Sequence, residues 1–198
     1  MTYISTNVFI NMNTFKLFIL WLKNHAAIVD TSHIKIRYAQ DKMKNEHEKI
    51  LFKYHSYVLD EIVVETMWAK VIDQEKGIYK LDSIPFYGLL IATDDEFFAE
   101  YDKSEERITY RKTIKHSGNS IVLISVVKDH YDKEILRDEF KKSGCTSEGV
   151  NDSYFSMEIL AKTNYKEVKS KLDKYEEEGL IEYAEPCLSS KHSNDLNN

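Results

Sequence analysis

Between residues 50 and 114 large β-branched and aromatic side chains recur in short runs separated by polar breaks. Runs at 50–54 and 62–72 are followed by the polar stretch 73–77, which ends in Gly77 before the next run at 78–81, a hairpin pattern. Pro85 cannot donate to a β-ladder, so residues 83–88 are read as a bend leading into the apolar 89–91. Further runs at 96–101 and 108–114 are split by the charged turn 102–106. Five or six short strands at this spacing predict a small bent β-sheet or barrel-like unit over residues 49–116.

The pattern changes at Ser117-Gly118-Asn119-Ser120. Residues 120–127 form a strongly apolar strand, and 132–143 carry Ile135, Leu136 and Phe140 at helical spacing with Lys141 and Lys142 ahead of Gly144, as expected of a helix C-terminus. Strands are predicted at 145–150 and 154–161; in the second, Phe155, Met157 and Ile159 alternate with Tyr154, Ser156 and Glu158. Asn164 with Glu167 three residues on marks a helix start, Val168, Leu172 and Tyr175 share one face, and Gly179 ends it before a last strand at 181–188. The order β-α-β-β-α-β over residues 117–189 is that of a ferredoxin-like α+β unit, with both helices on one face of a four-stranded antiparallel sheet. The polar tail 190–198 is expected to be disordered.

Residues 1–45 are read as an N-terminal extension. Their longest clean apolar run, 17–22, is far shorter than the roughly 20 residues that span a bilayer, and Lys16 and Lys23 interrupt the apolar stretch around it. No membrane span is expected. A weak amphipathic anchor at 14–27, with Phe15, Phe18, Ile19 and Leu22 on one stripe, is the alternative. The 33 acidic against 27 basic side chains, a formal charge of -6, argue against nucleic acid as a partner, because phosphate contacts need a surplus of Lys and Arg. Two cysteines in 198 residues do not make a disulfide framework, which fits a reducing cytoplasm.

Five segments carry a resemblance as an ordered set: Trp68-Ala69-Lys70, residues 79–87, residues 117–120, residues 144–148 and Glu185-Pro186-Cys187-Leu188. Together they resemble a bacterial family catalogued as domain of unknown function 4265, over about residues 49–189. Members usually have Trp-Ala-Glu where this chain has Lys70, and Asn where it has Ser83. The resemblance implies no established activity; some relatives sit among toxin and immunity genes, which implies an antitoxin-like role.

No constellation of catalytic or metal-ligating type stands out, so no cofactor or metal is expected. Cys145 and Cys187 as a redox pair would have to meet within roughly 7 Å, whereas the second and fourth strands of the predicted sheet lie at opposite edges; they are read as two buried free thiols. Residues Ser117, Gly118, Asn119 and Ser120 tempt an anion-binding reading, but a strand follows them and not a helix, so a local turn is the plain expectation. The carboxylates Asp94, Asp95 and Glu96 are read as a solvated rim, since alternation sends neighbours to opposite faces. Trp68, Phe86, Tyr87, Phe97, Phe98 and Tyr101 are read as core packing, with a ligand-lined groove near Pro85, Phe86 and Tyr87 as the functional alternative. Glu176, Glu177 and Glu178 oppose the dipole of the second helix and form an acidic patch.

The binding candidates are therefore Trp68, Pro85, Phe86, Tyr87, Ser117, Gly118, Asn119, Ser120, Cys145, Glu185 and Cys187. The leading expectation is a non-enzymatic protein-interaction module, immunity- or antitoxin-like, whose acidic surface meets a basic protein. The alternatives are a small-molecule sensor, possible as a homo-oligomer paired edge to edge, and, behind both, a cysteine-dependent enzyme.

Overall fold

The computed structural model describes residues 46–197. The N-terminal extension, with its amphipathic stripe, lies outside them. Five strands, β1 (His47–Ser56), β2 (Glu61–Asp73), β3 (Ile78–Leu81), β4 (Glu96–Asp102) and β5 (Arg107–Lys115), close into a barrel. β1 and β2 pair in unbroken antiparallel register from His47↔Lys70 to Ser56↔Glu61, and β5 closes on β1 through one parallel bridge at Leu51↔Thr109. That bridge ties the last strand of the unit back to the first.

The barrel interior is filled by alternate side chains, with Phe52 packed edge-on against Phe97 at 5.3 Å between ring centroids and stacked on Tyr110 at 5.0 Å. Residues 89–91 are not a sixth strand. They belong to the long connection from β3 to β4, and Leu89 and Ile91 plug the barrel core from it.

A second sheet follows, built from β6 (Ser120–Val126), β7 (Cys145–Gly149), β8 (Tyr154–Ile159) and β9 (Ile181–Cys187) in the order β7-β8-β6-β9, every pairing antiparallel. Helix α1 (Lys133–Lys142) joins β6 to β7 and helix α2 (Tyr165–Glu177) joins β8 to β9. Asp132 caps α1 by accepting from the Glu134 N–H at 2.9 Å, and Asn164 caps α2 by accepting from Lys166 N–H at 3.1 Å. Leu136, Phe140, Val168 and Leu172 cover one face of the sheet, meeting Val122, Ile124, Phe155 and Met157.

All of β6 and β8 is buried, so both faces of the sheet are covered. The helices take one face; the barrel takes the other, where Ile121, Leu123 and Tyr154 pack with Leu59, Val63 and Ile84. That arrangement accounts for the alternation in β8. Tyr154, Ser156 and Glu158 alternate as a solvent face would, yet they point into the barrel, and each is hydrogen-bonded to its long β3–β4 connection. The Tyr154 hydroxyl donates to the Phe86 carbonyl at 2.5 Å, the Ser156 hydroxyl to the Pro85 carbonyl at 2.6 Å, and Glu158 accepts from the Thr93 hydroxyl. A buried polar group without a partner costs about 1–3 kcal/mol, so these pairs fix how sheet and barrel meet.

The tail is ordered where the composition predicts disorder. Ser190–Asp195 form a short helix, α3, capped by the Ser189 hydroxyl. His192 is the reason: it is fully buried, its Nε2–H donates to the Leu160 carbonyl at 3.2 Å, and its Nδ1 accepts from the Ser120 hydroxyl at 2.6 Å. Burial lowers its pKa and keeps the ring neutral, as this tautomer needs. Asp195 adds a second tie by accepting from the Tyr165 N–H at 3.0 Å, at the start of α2. We expect His192→Ala to release α3, costing about 2 kcal/mol. Hydrogen exchange should then quicken at residues 190–195 and stay slow in β6 and β8.

Candidate functional site

Ser117-Gly118-Asn119-Ser120 joins β5 to β6 at the seam between barrel and sheet. Gly118 takes a φ of 88°, which a side chain resists, so the chain turns sharply there. Two of the turn's N–H groups are turned inward and lost to an anion: Ser117 N–H donates to Asp95 Oδ1 at 2.6 Å and Asn119 N–H to Ser117 Oγ at 3.1 Å. Asn119 is a three-way clamp. Its Nδ2 donates to the Thr93 carbonyl at 3.1 Å and to Glu158 Oε1 at 3.0 Å, and its Oδ1 accepts from Ala161 N–H at 2.9 Å. Ser120 accepts from Ser189 N–H at 2.9 Å while it holds His192.

Asp95 is not part of a solvated rim. Its side chain is buried, accepting from Ala92 N–H at 3.2 Å, from Ser117 and from His116 Nδ1 at 3.0 Å. Asp94 and Glu96 remain outside, beside Lys80 at 3.8 Å and Lys115 at 3.3 Å. These groups, with His116, line a polar surface cavity of about 320 Å³. Among the described residues no cluster of three or more His, Cys, Asp or Glu side chains is arranged to hold a metal ion.

Pro85, Phe86 and Tyr87 sit in the long connection from β3 to β4. They are a strap pressed between the two units, with Pro85 and Phe86 carbonyls capped by β8 hydroxyls and the Tyr87 carbonyl accepting from Ser56 at 2.5 Å. Beneath the strap lies Glu65, which the sequence reading passed over. It is buried, accepting from Phe86 N–H at 2.9 Å and from the Tyr54 hydroxyl at 3.0 Å. Burial pushes its carboxyl up to about 7, against the two donors that favour the charged form.

Cys145 on β7 and Cys187 on β9 occupy opposite edges of the sheet and are free thiols. Cys187 is only partly covered by residue, but burial of its thiol, like that of Cys145, pushes the pKa up to about 12. Neither supplies thiolate at neutral pH, as a nucleophile must. Glu185 accepts from the Tyr165 hydroxyl and lies 3.6 Å from Lys169 Nζ, a tie between α2 and β9. The binding candidates thus separate into residues held in the seam or in the packing of the sheet unit and one residue that stands apart from both.

That residue is Trp68. It is not core: with Ile62, Val64 and Ile72 it points outward from β2, and the four are 45%, 59%, 54% and 47% exposed. Tyr101 is exposed as well, whereas Phe97 is in the barrel core. Lys49 Nζ lies 5.3 Å above the Trp68 ring. The signal was in the sequence: residues 62–64 are apolar at consecutive positions, so one of the two faces of β2 had to carry apolar side chains away from the barrel interior.

The model of the family described as Domain of unknown function (DUF4265) matches residues 65–183, more than half of the chain. The chain belongs to this family. The matched span runs from the buried Glu65 in β2 through the strap and the seam into β9, and β1 lies outside it. Among solved structures, a hypothetical protein from Neisseria gonorrhoeae superposes with a TM-score of 0.62 at 23% identity, covering 72% of this chain and 95% of that one. At that identity the likeness shows the fold, an α+β arrangement, and nothing of activity.

Proposed function

We propose that the chain is a non-enzymatic protein-interaction module, in the manner of an immunity or antitoxin protein. The observation that carries this reading is the outer face of β2. A monomeric surface scatters its exposed apolar residues singly, whereas here four large ones stand on one strand of a closed barrel. A tryptophan at the centre of such a stripe is the residue type that most often anchors an interface. The protonated thiols favour this reading over a cysteine enzyme, and the inward hydrogen bonds of the Ser117 and Asn119 N–H groups disfavour an anion-binding loop. Its second unit is read as ferredoxin-like; the strand order β7-β8-β6-β9 with two helices on one face supports that assignment. Free cysteines fit a reducing compartment, and among the described residues no helix is long and apolar enough to cross a membrane.

The test is affinity capture of the tagged full chain from its native host, compared with Trp68→Ser and Ile62→Asp. Both positions are exposed, so each variant should melt within about 1 kcal/mol of the parent. We expect a stoichiometric partner protein that the variants lose. A partner retained equally by both would move the contact away from β2, and recovery of the bare chain would end the interaction reading.

A further inference from the structure

The β2 face differs in charge from the rest of the protein. The chain is acidic, at -6 overall, yet the cations beside the apolar stripe are Lys49 and Lys53 on β1, Lys70 on β2 and Lys80 on β3. Register sets Lys49 directly across from Trp68, Lys53 across from Val64 and Lys70 across from Lys80. Lys53 is neutralised by Glu105 at 2.7 Å, and Lys80 lies 3.8 Å from the Asp94 carboxylate with Glu96 across from it on β4. Lys70 makes no ion pair among the described residues, and two like charges opposite each other on neighbouring strands are destabilising. Lys49 and Lys70 therefore stand beside the apolar stripe as cations with no ion pair among the described residues.

We infer that the β2 face docks a partner protein segment whose apolar side chains cover Ile62, Val64 and Trp68 and whose flanking carboxylates meet Lys49 and Lys70. This rests on the interaction reading above and replaces its expected basic partner with an acidic one at this face. Carboxylates beside the apolar segment would give Lys49 and Lys70 the counter-charges they lack, and the Lys49 ammonium held on the Trp68 ring places one of these cations directly beside the stripe. A second copy does not fit as occupant through the same face, because a two-fold contact would set the lysines of one copy against those of the other.

The experiment uses the full chain in its native host, with a photo-crosslinking residue, p-benzoylphenylalanine, at the exposed Val64 and, separately, at the exposed Glu177 beyond the sheet. From Val64 we expect a crosslink to another protein at a peptide that combines apolar residues with Asp or Glu in excess of Lys and Arg. Lys49→Glu with Lys70→Glu should cut its yield about tenfold, the scale of a lost charge complement in an interface. A crosslinked peptide that is basic, a crosslink to a second copy, or a yield indifferent to the two reversals overturns the acidic-partner inference. A partner crosslinked from Glu177 alone overturns it while leaving the interaction reading intact, and silence at both positions ends both.

Discussion

Replacing Asn119 with aspartate should cost the protein about 4 kcal/mol at pH 8, among the largest effects of any single substitution at the seam. Asn119 Nδ2 donates at 3.1 Å to a carbonyl and at 3.0 Å to the Glu158 carboxylate, so the variant aims an oxygen at two acceptors and buries a second carboxylate beside the first. Ala161 N–H keeps an acceptor, which limits the loss to one side of the clamp. Asn119→Ala removes all three bonds without adding charge and should cost about 3 kcal/mol. For a chain of this size the aspartate variant should melt about 10 °C lower. Burial already raises the pKa of Glu158, so acidification protonates the crowded pair and relieves it. Thermal melts at pH 8 and pH 5 check this: the aspartate penalty should shrink at the lower pH and the alanine penalty should not. Equal penalties at both values would remove Glu158 from the explanation.

The consequence of that clamp is that the two units cannot be regarded as independent. The sheet has a core on each face, and its second core is completed by residues from the barrel, so loosening the seam exposes Leu123 and Ile121 together with Leu59 and Val63. Burial of apolar surface at about 25 cal/mol per Å² makes such a shared core a strong coupling between units. The docking face on β2 lies on the far side of the barrel wall from this seam, since alternate residues of β2 point in opposite directions: Val63 and Glu65 inward, Ile62 and Val64 outward. One strand thus serves fold and surface with its two faces, and substitutions on the outer face leave the seam untouched.

Which parts were legible in the sequence follows from which signals are local. Helices α1 and α2 announced themselves through apolar spacing and through an end signal each, Lys141-Lys142 before Gly144 for α1 and the Asn164 cap for α2, all within a dozen residues or so. The β-rich character of residues 49–116 was legible for the same reason, whereas barrel closure depends on the single Leu51↔Thr109 bridge, between residues far apart in the chain. The polar residues of β8 misled because alternation reports two unlike faces without saying what covers the second; their partners, Pro85, Phe86 and Thr93, lie more than sixty residues upstream. The same holds for the tail, whose composition is polar but whose one buried ring, His192, finds Ser120 across the sheet. Trp68 was expected in the core because large aromatics dominate cores, and only the register of β2 shows which side it takes. Glu65 gave no signal at all, since a carboxylate in a strand normally faces water.

Glu65→Gln should make the protein more stable at pH 8 and about 1 kcal/mol less stable near pH 4.5. The folded chain holds the Glu65 carboxyl up at about 7 against an ordinary 4.5, chiefly through burial, so the native state binds its proton more tightly than the unfolded one. Its contribution to stability is therefore complete below about pH 4.5, falls as pH rises to about 7, and is flat beyond. At about 1.4 kcal/mol for each unit the pKa moves, ionised Glu65 costs the folded protein about 3 kcal/mol. Glutamine keeps an acceptor for the Phe86 N–H and sheds the charge, but its amide would turn the Tyr54 hydroxyl from donor to acceptor and leave that proton without its partner. After that offset we expect a gain of about 2 kcal/mol, or about 5 °C in Tm, at pH 8. Subtracting the two melting profiles isolates Glu65 from the other carboxyls: the difference should open between pH 5 and 7 and stay constant above. Glu65→Ala supplies the contrast, because it strands the Phe86 N–H under the strap and should destabilise at every pH. A glutamine variant that tracks the parent through that window would mean that Glu65 is hydrated beneath the strap, and the seam would then be wetter than its packing implies.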